Sequence, residues 1–267
     1  MFSFEFMRNA YLAGTLIAIV SGIMGVFVVA RNMPFMTHTL SEIGFAGAAF
    51  GIFIGWTPLN GMLAFTTVSS ILVGELSGAV ESRRESVISA ISGLFIGLGI
   101  LFLSLSNKNS SYATNILFGS VIGISHQEVV QMAALSVLVL VVLFFIFRNL
   151  KDDSFDAVGA KTNHIHSSLI SIIFLVLLAF SVSVAAQIVG SLLIFVLLTL
   201  PAASSKYFAH TVIQMMLLAI GFAIFGVWFG LYLGYVTNWP VTFFIASIEA
   251  AIYGLALIYN SIANKSR

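Results

Sequence analysis

The chain has 267 residues, 60% of them hydrophobic and only 8% charged, with a mean hydropathy of +1.09. A soluble domain carries about 25% charged residues, so an ordinary water-facing surface is excluded and the composition is that of a polytopic membrane protein. The net charge of +1 points to no particular partner, and the lack of cysteine excludes disulfides, thiolate metal sites and thiol chemistry.

Apolar runs close to the ~20 residues that cross a bilayer fall at 10–30, 43–57, 61–80, 87–105, 128–147, 168–186, 188–205, 212–236 and 240–260. The first has no small-residue cleavage site and is followed by others, so it reads as a span rather than a removable signal peptide. Several runs abut, which predicts eight or nine transmembrane helices in one transmembrane domain over 1–267, with the shorter run at 113–124 as a re-entrant helix. No run alternates with period two, so the fold is all-α and not a membrane barrel.

Behind the first run comes Pro34-Phe-Met-Thr-His-Thr-Leu-Ser-Glu-Ile-Gly-Phe-Ala-Gly47, where His38 and Glu42 stand four residues apart. On a helix, that spacing puts both on one face, where an imidazole nitrogen and a carboxylate oxygen can hold zinc, manganese or ferrous iron. Ionisable groups at membrane depth are costly and mark ion or substrate paths. A second reading stays open: Thr39-x-x-Glu42 has the form of a capping box, with Glu42 serving only as its third helical residue and His38 lying in an interfacial loop.

Further along, Ser82-x-x-Glu85 and Ser125-x-x-Glu128 have the same form and predict helix starts. Glu75 and Glu81 flank a turn and read as solvent-facing. The pairs Gly93-x-x-x-Gly97 and Gly226-x-x-x-Gly230 allow close helix approach in lipid. Arg148 to His166 is the longest polar stretch, suited to a surface loop with a short helix. Its His164 and His166 read as solvated rather than as ligands, and His126 and His210 as helix-end residues. Gln187, between two apolar runs, and Glu249, inside the last one, read first as helix-packing hydrogen-bonders, with Glu249 a candidate third metal ligand.

Basic residues at Arg83-Arg84, Arg148 to Lys161 and Lys265 with Arg267 place those segments and the C-terminus in the cytoplasm. Ser106-Asn-Lys-Asn-Ser-Ser111 then lies outside. There is no GxxxxGK[ST] loop, HExxH or GxSxG, so neither nucleotide hydrolysis, zinc proteolysis nor acyl transfer is supported. Nothing suggests nucleic-acid binding.

Four stretches, in order, resemble the membrane permease subunit of bacterial ATP-binding cassette importers for zinc, manganese and iron (the ABC-3 type). That family's Gly-Asp-x-Leu-Ser-His-x-x-x-x-Gly appears here as Thr37-His-Thr-Leu-Ser-Glu-Ile-Gly-Phe-Ala-Gly47. Its Leu-Phe-Gly-Ser with a following Ser-x-x-Asp matches Leu117-Phe-Gly-Ser120 and Ser125-His-Gln-Glu128. Its Val-Gly-x-x-Leu and Pro-Ala-Ala match Val189-Gly-Ser-Leu-Leu193 and Pro201-Ala-Ala203, and its Asp-x-x-x-Ala matches Asp153-Ser-Phe-Asp-Ala157.

The departures are specific. The family's Asp and His become His38 and Glu42, so one nitrogen and one oxygen donor survive in swapped order. The glycine after Asp-x-x-x-Ala is Lys161 or has slipped to Gly159, and a Gly-Pro-x-Ile signature is degraded to Asn238-Trp-Pro-Val-Thr242.

The resemblance implies a permease in the bacterial cell membrane that holds no cofactor permanently and moves a zinc or manganese ion, with iron a further option. The implied metal residues are His38 and Glu42. A separate ATPase subunit would dock at a coupling helix formed by Asp153, Ser154, Phe155, Asp156, Ala157 and Gly159. An extracytoplasmic metal-binding protein would deliver the ion, and a permease homodimer would work by alternating access. Two alternatives remain: a permease for siderophore- or cobalamin-like chelates, and a stand-alone secondary carrier using Glu42 or Glu249 as a proton relay.

Overall fold

The computed structural model describes residues 4–77, 84–106, 119, 124–155 and 167–265, and among them every regular element is an α-helix. In chain order these are α1 (Glu5–Ala30), α2 (Pro34–Ile54), α3 (Pro58–Ser77), α4 (Arg84–Leu105), α5 (His126–Phe155), α6 (Ser167–Val189), α7 (Ser191–Ser205), α8 (Val212–Thr237) and α9 (Val241–Lys265). Six of them, α1, α4, α5, α6, α8 and α9, contain stretches long and apolar enough to cross a membrane, and α7 is a shorter apolar helix. The expected re-entrant run at 113–124 lies almost wholly outside the described residues, as do Ser82 and Glu81.

Helix boundaries follow local chemistry that hydropathy does not register. Asn32 ends α1 in the left-handed conformation (φ 53°), and the Met33 amide donates back to the Val28 carbonyl at 2.9 Å. Pro34, whose missing amide costs nothing in a first helical turn, then starts α2 nine residues before the predicted apolar run. Thr39 is therefore interior to α2, and its hydroxyl donates to the Phe35 carbonyl at 3.1 Å instead of capping. The Thr39 capping box is thus corrected, and with it the reading of Glu42 as a cap residue.

Between α2 and α3, Gly55 takes φ 82° and the Trp56 amide donates to the Gly51 carbonyl at 2.7 Å. The Thr57 hydroxyl accepts from the Asn60 amide at 3.4 Å ahead of Pro58. The Ser125 box forms as expected: its amide donates to Glu128 Oε2 at 2.8 Å, and the Glu128 amide to Ser125 Oγ at 3.2 Å. A comparable arrangement starts α8, where Thr211 Oγ1 accepts from the Gln214 amide at 3.2 Å and Gln214 Oε1 from the His210 amide at 3.0 Å. Gly190, at φ 82°, separates α6 from α7 three residues beyond the predicted break.

Two compact units form, each from discontinuous stretches: one from residues 1–34, 121–136 and 195–267, the other from 35–120 and 137–194. In the first, α1 packs antiparallel on α8. A Cβ on Gly14 would fall 2.6 Å from Val227, and one on Gly22 would fall 2.7 Å from the Ile220 backbone. Tyr11 meets Trp228 edge-on at 5.7 Å, and the Trp228 indole donates to Thr15 Oγ1 at 2.9 Å. The buried Asn9 amide donates to the Ile124 carbonyl at 2.9 Å.

The second unit contains α2, α3, α4 and α6. Its α2–α3 hairpin is closed by Gly47 and Gly61, each standing where a Cβ on the other would collide with its carbonyl. Thr66 and Ser183 share a 2.9 Å hydroxyl hydrogen bond between α3 and α6, and Gly74 lies against Ile172 farther along. An aromatic group of Phe50, Phe53, Phe65, Phe95 and Phe102, with centroids 5.0–5.7 Å apart between neighbours, ties α2, α3 and α4 at one end.

Candidate functional site

From Met36 to Ala49, every residue of α2 is buried except His38 and Glu42. These two keep side-chain exposures of 39% and 31%, one helical turn apart, with Nε2 and Oε1 separated by 3.6 Å. That is too long for a direct hydrogen bond, but it suits a shared ion. Two donors each about 2.1 Å from a tetrahedral zinc lie roughly 3.4 Å apart. The Phe35 ring lies edge-on to the His38 imidazole at 6.5 Å.

The rest of this turn is held firmly. Ser92 of α4 donates its hydroxyl to Glu42 Oε2 at 2.5 Å. Ser41, fully buried beside Glu42, donates to the Ser191 carbonyl just past the Gly190 break. Below it, a Cβ on Gly99 of α4 would sit 2.8 Å from the Ala46 Cα. Contacts from Glu42 to Ser92, Ala46 to Gly99, and Phe50 and Phe53 to Phe102 ascend together along both helices, so α2 and α4 run parallel.

Other expected site residues are placed as follows. Glu249, in α9 of the other unit, is fully buried with no hydrogen-bond partner for either carboxyl oxygen among the described residues. Among the described residues, no three His, Asp or Glu side chains group closely enough to hold a metal. Of the polar stretch expected to form a surface loop with a short helix, Arg148 to Phe155 continues α5 as its last turns. Within it Ser154 Oγ donates to the Leu150 carbonyl at 2.5 Å, Lys151 lies 3.8 Å from Asp152, and Phe155 is exposed. The polar run misled because charge lowers hydropathy without breaking a helix. Asp156, Ala157, Gly159, His164 and His166 fall outside the described residues. Glu75, His126 and His210 are exposed, and Gln187 lies in α6. Ser92, inside an apolar run with a helical serine's usual look, carried no sequence signal.

A sequence model of the ABC 3 transport family matches residues 3–260. The chain belongs to that family. One relative, the manganese import system permease protein ScaB of Streptococcus parasanguinis, is 29% identical over 99% of this chain and 93% of its own length. Another, the high-affinity zinc uptake system membrane protein ZnuB of Buchnera aphidicola subsp. Acyrthosiphon pisum, is 27% identical over 90% of this chain and 92% of its own. Among solved structures, PsaBC from Streptococcus pneumoniae in complex with Fab superposes with a TM-score of 0.85 at 26% identity, over 95% of this chain and 91% of that one. Family membership and the apolar helices together make this ABC 3 chain a multi-pass integral membrane protein.

Proposed function

We propose that this chain is the permease of an ATP-driven importer of divalent transition-metal ions, manganese or zinc, and that His38 and Glu42 hold the ion in transit. The observation that carries the reading lies on α2: two ionisable side chains partly exposed on a stretch otherwise buried, 3.6 Å apart. The relatives named for manganese and zinc uptake support the cargo class. Two protein ligands grip a cation less tightly than the four of a structural site, as transit requires. Among the described residues no third His, Asp or Glu groups with these two, so the proposal rests on the pair.

No nucleotide-binding loop is present, so the driving ATPase is a separate subunit. The end of α5 and the residues after it, Asp153 to Gly159, are its dock. Basic segments put that dock and the C-terminus in the cytoplasm, and an extracytoplasmic metal-binding protein feeds the opposite mouth. A homodimer of permeases provides the alternating pathway.

The test is uptake in cells expressing the whole importer. His38→Ala and Glu42→Ala should each lower manganese and zinc uptake at least tenfold at unchanged membrane abundance. Uptake unchanged in both variants would refute the site.

A further inference from the structure

We infer that Ser92 is a positioning residue for the metal pair, holding Glu42 so that a single carboxylate oxygen, Oε1, is presented to the ion beside His38. The inference rests on the proposed role of His38 and Glu42 and adds a third residue, which does not itself touch metal. Three observations on different elements support it.

First, the two Glu42 oxygens differ. Oε2 accepts the Ser92 hydroxyl at 2.5 Å, whereas Oε1 faces His38 Nε2 at 3.6 Å. A hydrogen bond that short to a carboxylate is of the strong, charge-assisted kind. It leaves Oε2 turned away from the imidazole, so the carboxylate offers one oxygen rather than chelating with both.

Second, Ser92 is a fixed anchor. It is 6% exposed, and its helix is pressed to α2 seven residues on, where Gly99 meets the Ala46 backbone. Residues 92 and 99 are two turns apart, so the α4 face that carries the hydroxyl also carries the contact that sets its distance from α2.

Third, Glu42 needs such an anchor. Its side chain turns about three bonds and keeps 31% exposure. Neighbouring Ser41, tied to the Ser191 carbonyl, fixes the α2 backbone but not the carboxylate. Partners that orient metal-binding carboxylates are worth about 10- to 100-fold in metal affinity. Releasing Oε2 also frees the carboxylate to chelate, which favours larger, oxygen-preferring cations over zinc. Ser92 thus contributes both affinity and selectivity.

The experiment measures manganese and zinc uptake by the intact importer in Ser92→Ala, which removes the hydroxyl from a helix-compatible side chain, and in Ser92→Thr, which keeps it. His38→Ala and Glu42→Ala run beside them, and membrane abundance is measured for all. Ser92→Ala should raise the KM for zinc about tenfold, leave the maximal rate per transporter nearly unchanged, and shift preference toward manganese. Ser92→Thr should restore at least half of the lost affinity. A wild-type KM and metal preference in Ser92→Ala, with His38→Ala and Glu42→Ala defective, would overturn the role of Ser92 alone. So would a threonine variant no better than alanine at equal abundance. Normal uptake in His38→Ala and Glu42→Ala would instead remove the parent reading.

Discussion

The Glu249 carboxyl fills the space that a side chain on residue 226 would occupy: a Cβ on Gly226 would collide with it. The same register continues along the pair, with Gly230 under Ile245 and Gly234 under Val241. Each step of four down α8 is matched by four up α9, so the helices run antiparallel with a glycine at each of these three contacts. A small-residue stripe of this kind brings backbones together where lipid provides no hydrophobic drive.

Gly226→Ala should therefore destabilise the folded protein by about 1–3 kcal/mol, the usual cost of overpacking. In a Glu249→Ala background the same change should cost far less, because the colliding group is gone. Thermal unfolding of the four proteins in detergent closes this double-mutant cycle; additive losses would show that the two residues do not share the space.

Gly47 and Gly61 give a sharper contrast. Each abuts the other's backbone, which cannot move aside as a side chain can, whereas Cβ atoms on Gly93 and Gly97 of α4 would meet nothing within 4 Å. Gly47→Ala and Gly61→Ala should lower membrane abundance severalfold and depress Tm, while Gly93→Ala and Gly97→Ala leave the isolated chain's Tm unchanged or slightly raised, alanine being the better helix former by roughly 1 kcal/mol. Equal effects at all four positions would contradict the α2–α3 packing.

At the end of α5, Phe155 is an exposed aromatic beside the charged Asp152 and Asp153. As part of the proposed dock, Phe155→Ala and Asp153→Ala should reduce co-purification of the ATPase subunit and uncouple its hydrolysis from uptake, without changing manganese affinity. Undiminished co-purification and coupling in both would place the dock elsewhere.

Much of this was legible in the sequence. Apolar runs marked all nine described helices, and the Ser125 box marked a helix start to the residue. What hydropathy missed were ends set by other chemistry. Pro34 begins α2 inside a polar segment, and five polar residues between Thr37 and Glu42 dilute a helix whose surroundings are protein. Arg148 to Phe155 falls in the polar stretch that reads as a surface loop with a short helix, yet it continues α5.

At the site, the i, i+4 spacing of His38 and Glu42 was visible because helix geometry is local. Ser92, fifty residues from Glu42 in sequence, was not, since only tertiary packing of α4 on α2 joins them. Likewise the glycine pair at 226 and 230 was visible as a spacing, but its match to Glu249 required the α8–α9 register.

The most direct test of the metal pair is pulsed electron paramagnetic resonance on manganese bound to the purified importer. If His38 ligates the ion, the spectrum contains a coupling to a directly bonded imidazole nitrogen, which disappears in His38→Ala while bound manganese falls at least tenfold in Glu42→Ala. A manganese signal with no nitrogen coupling, or one identical in wild type and His38→Ala, would contradict the assignment.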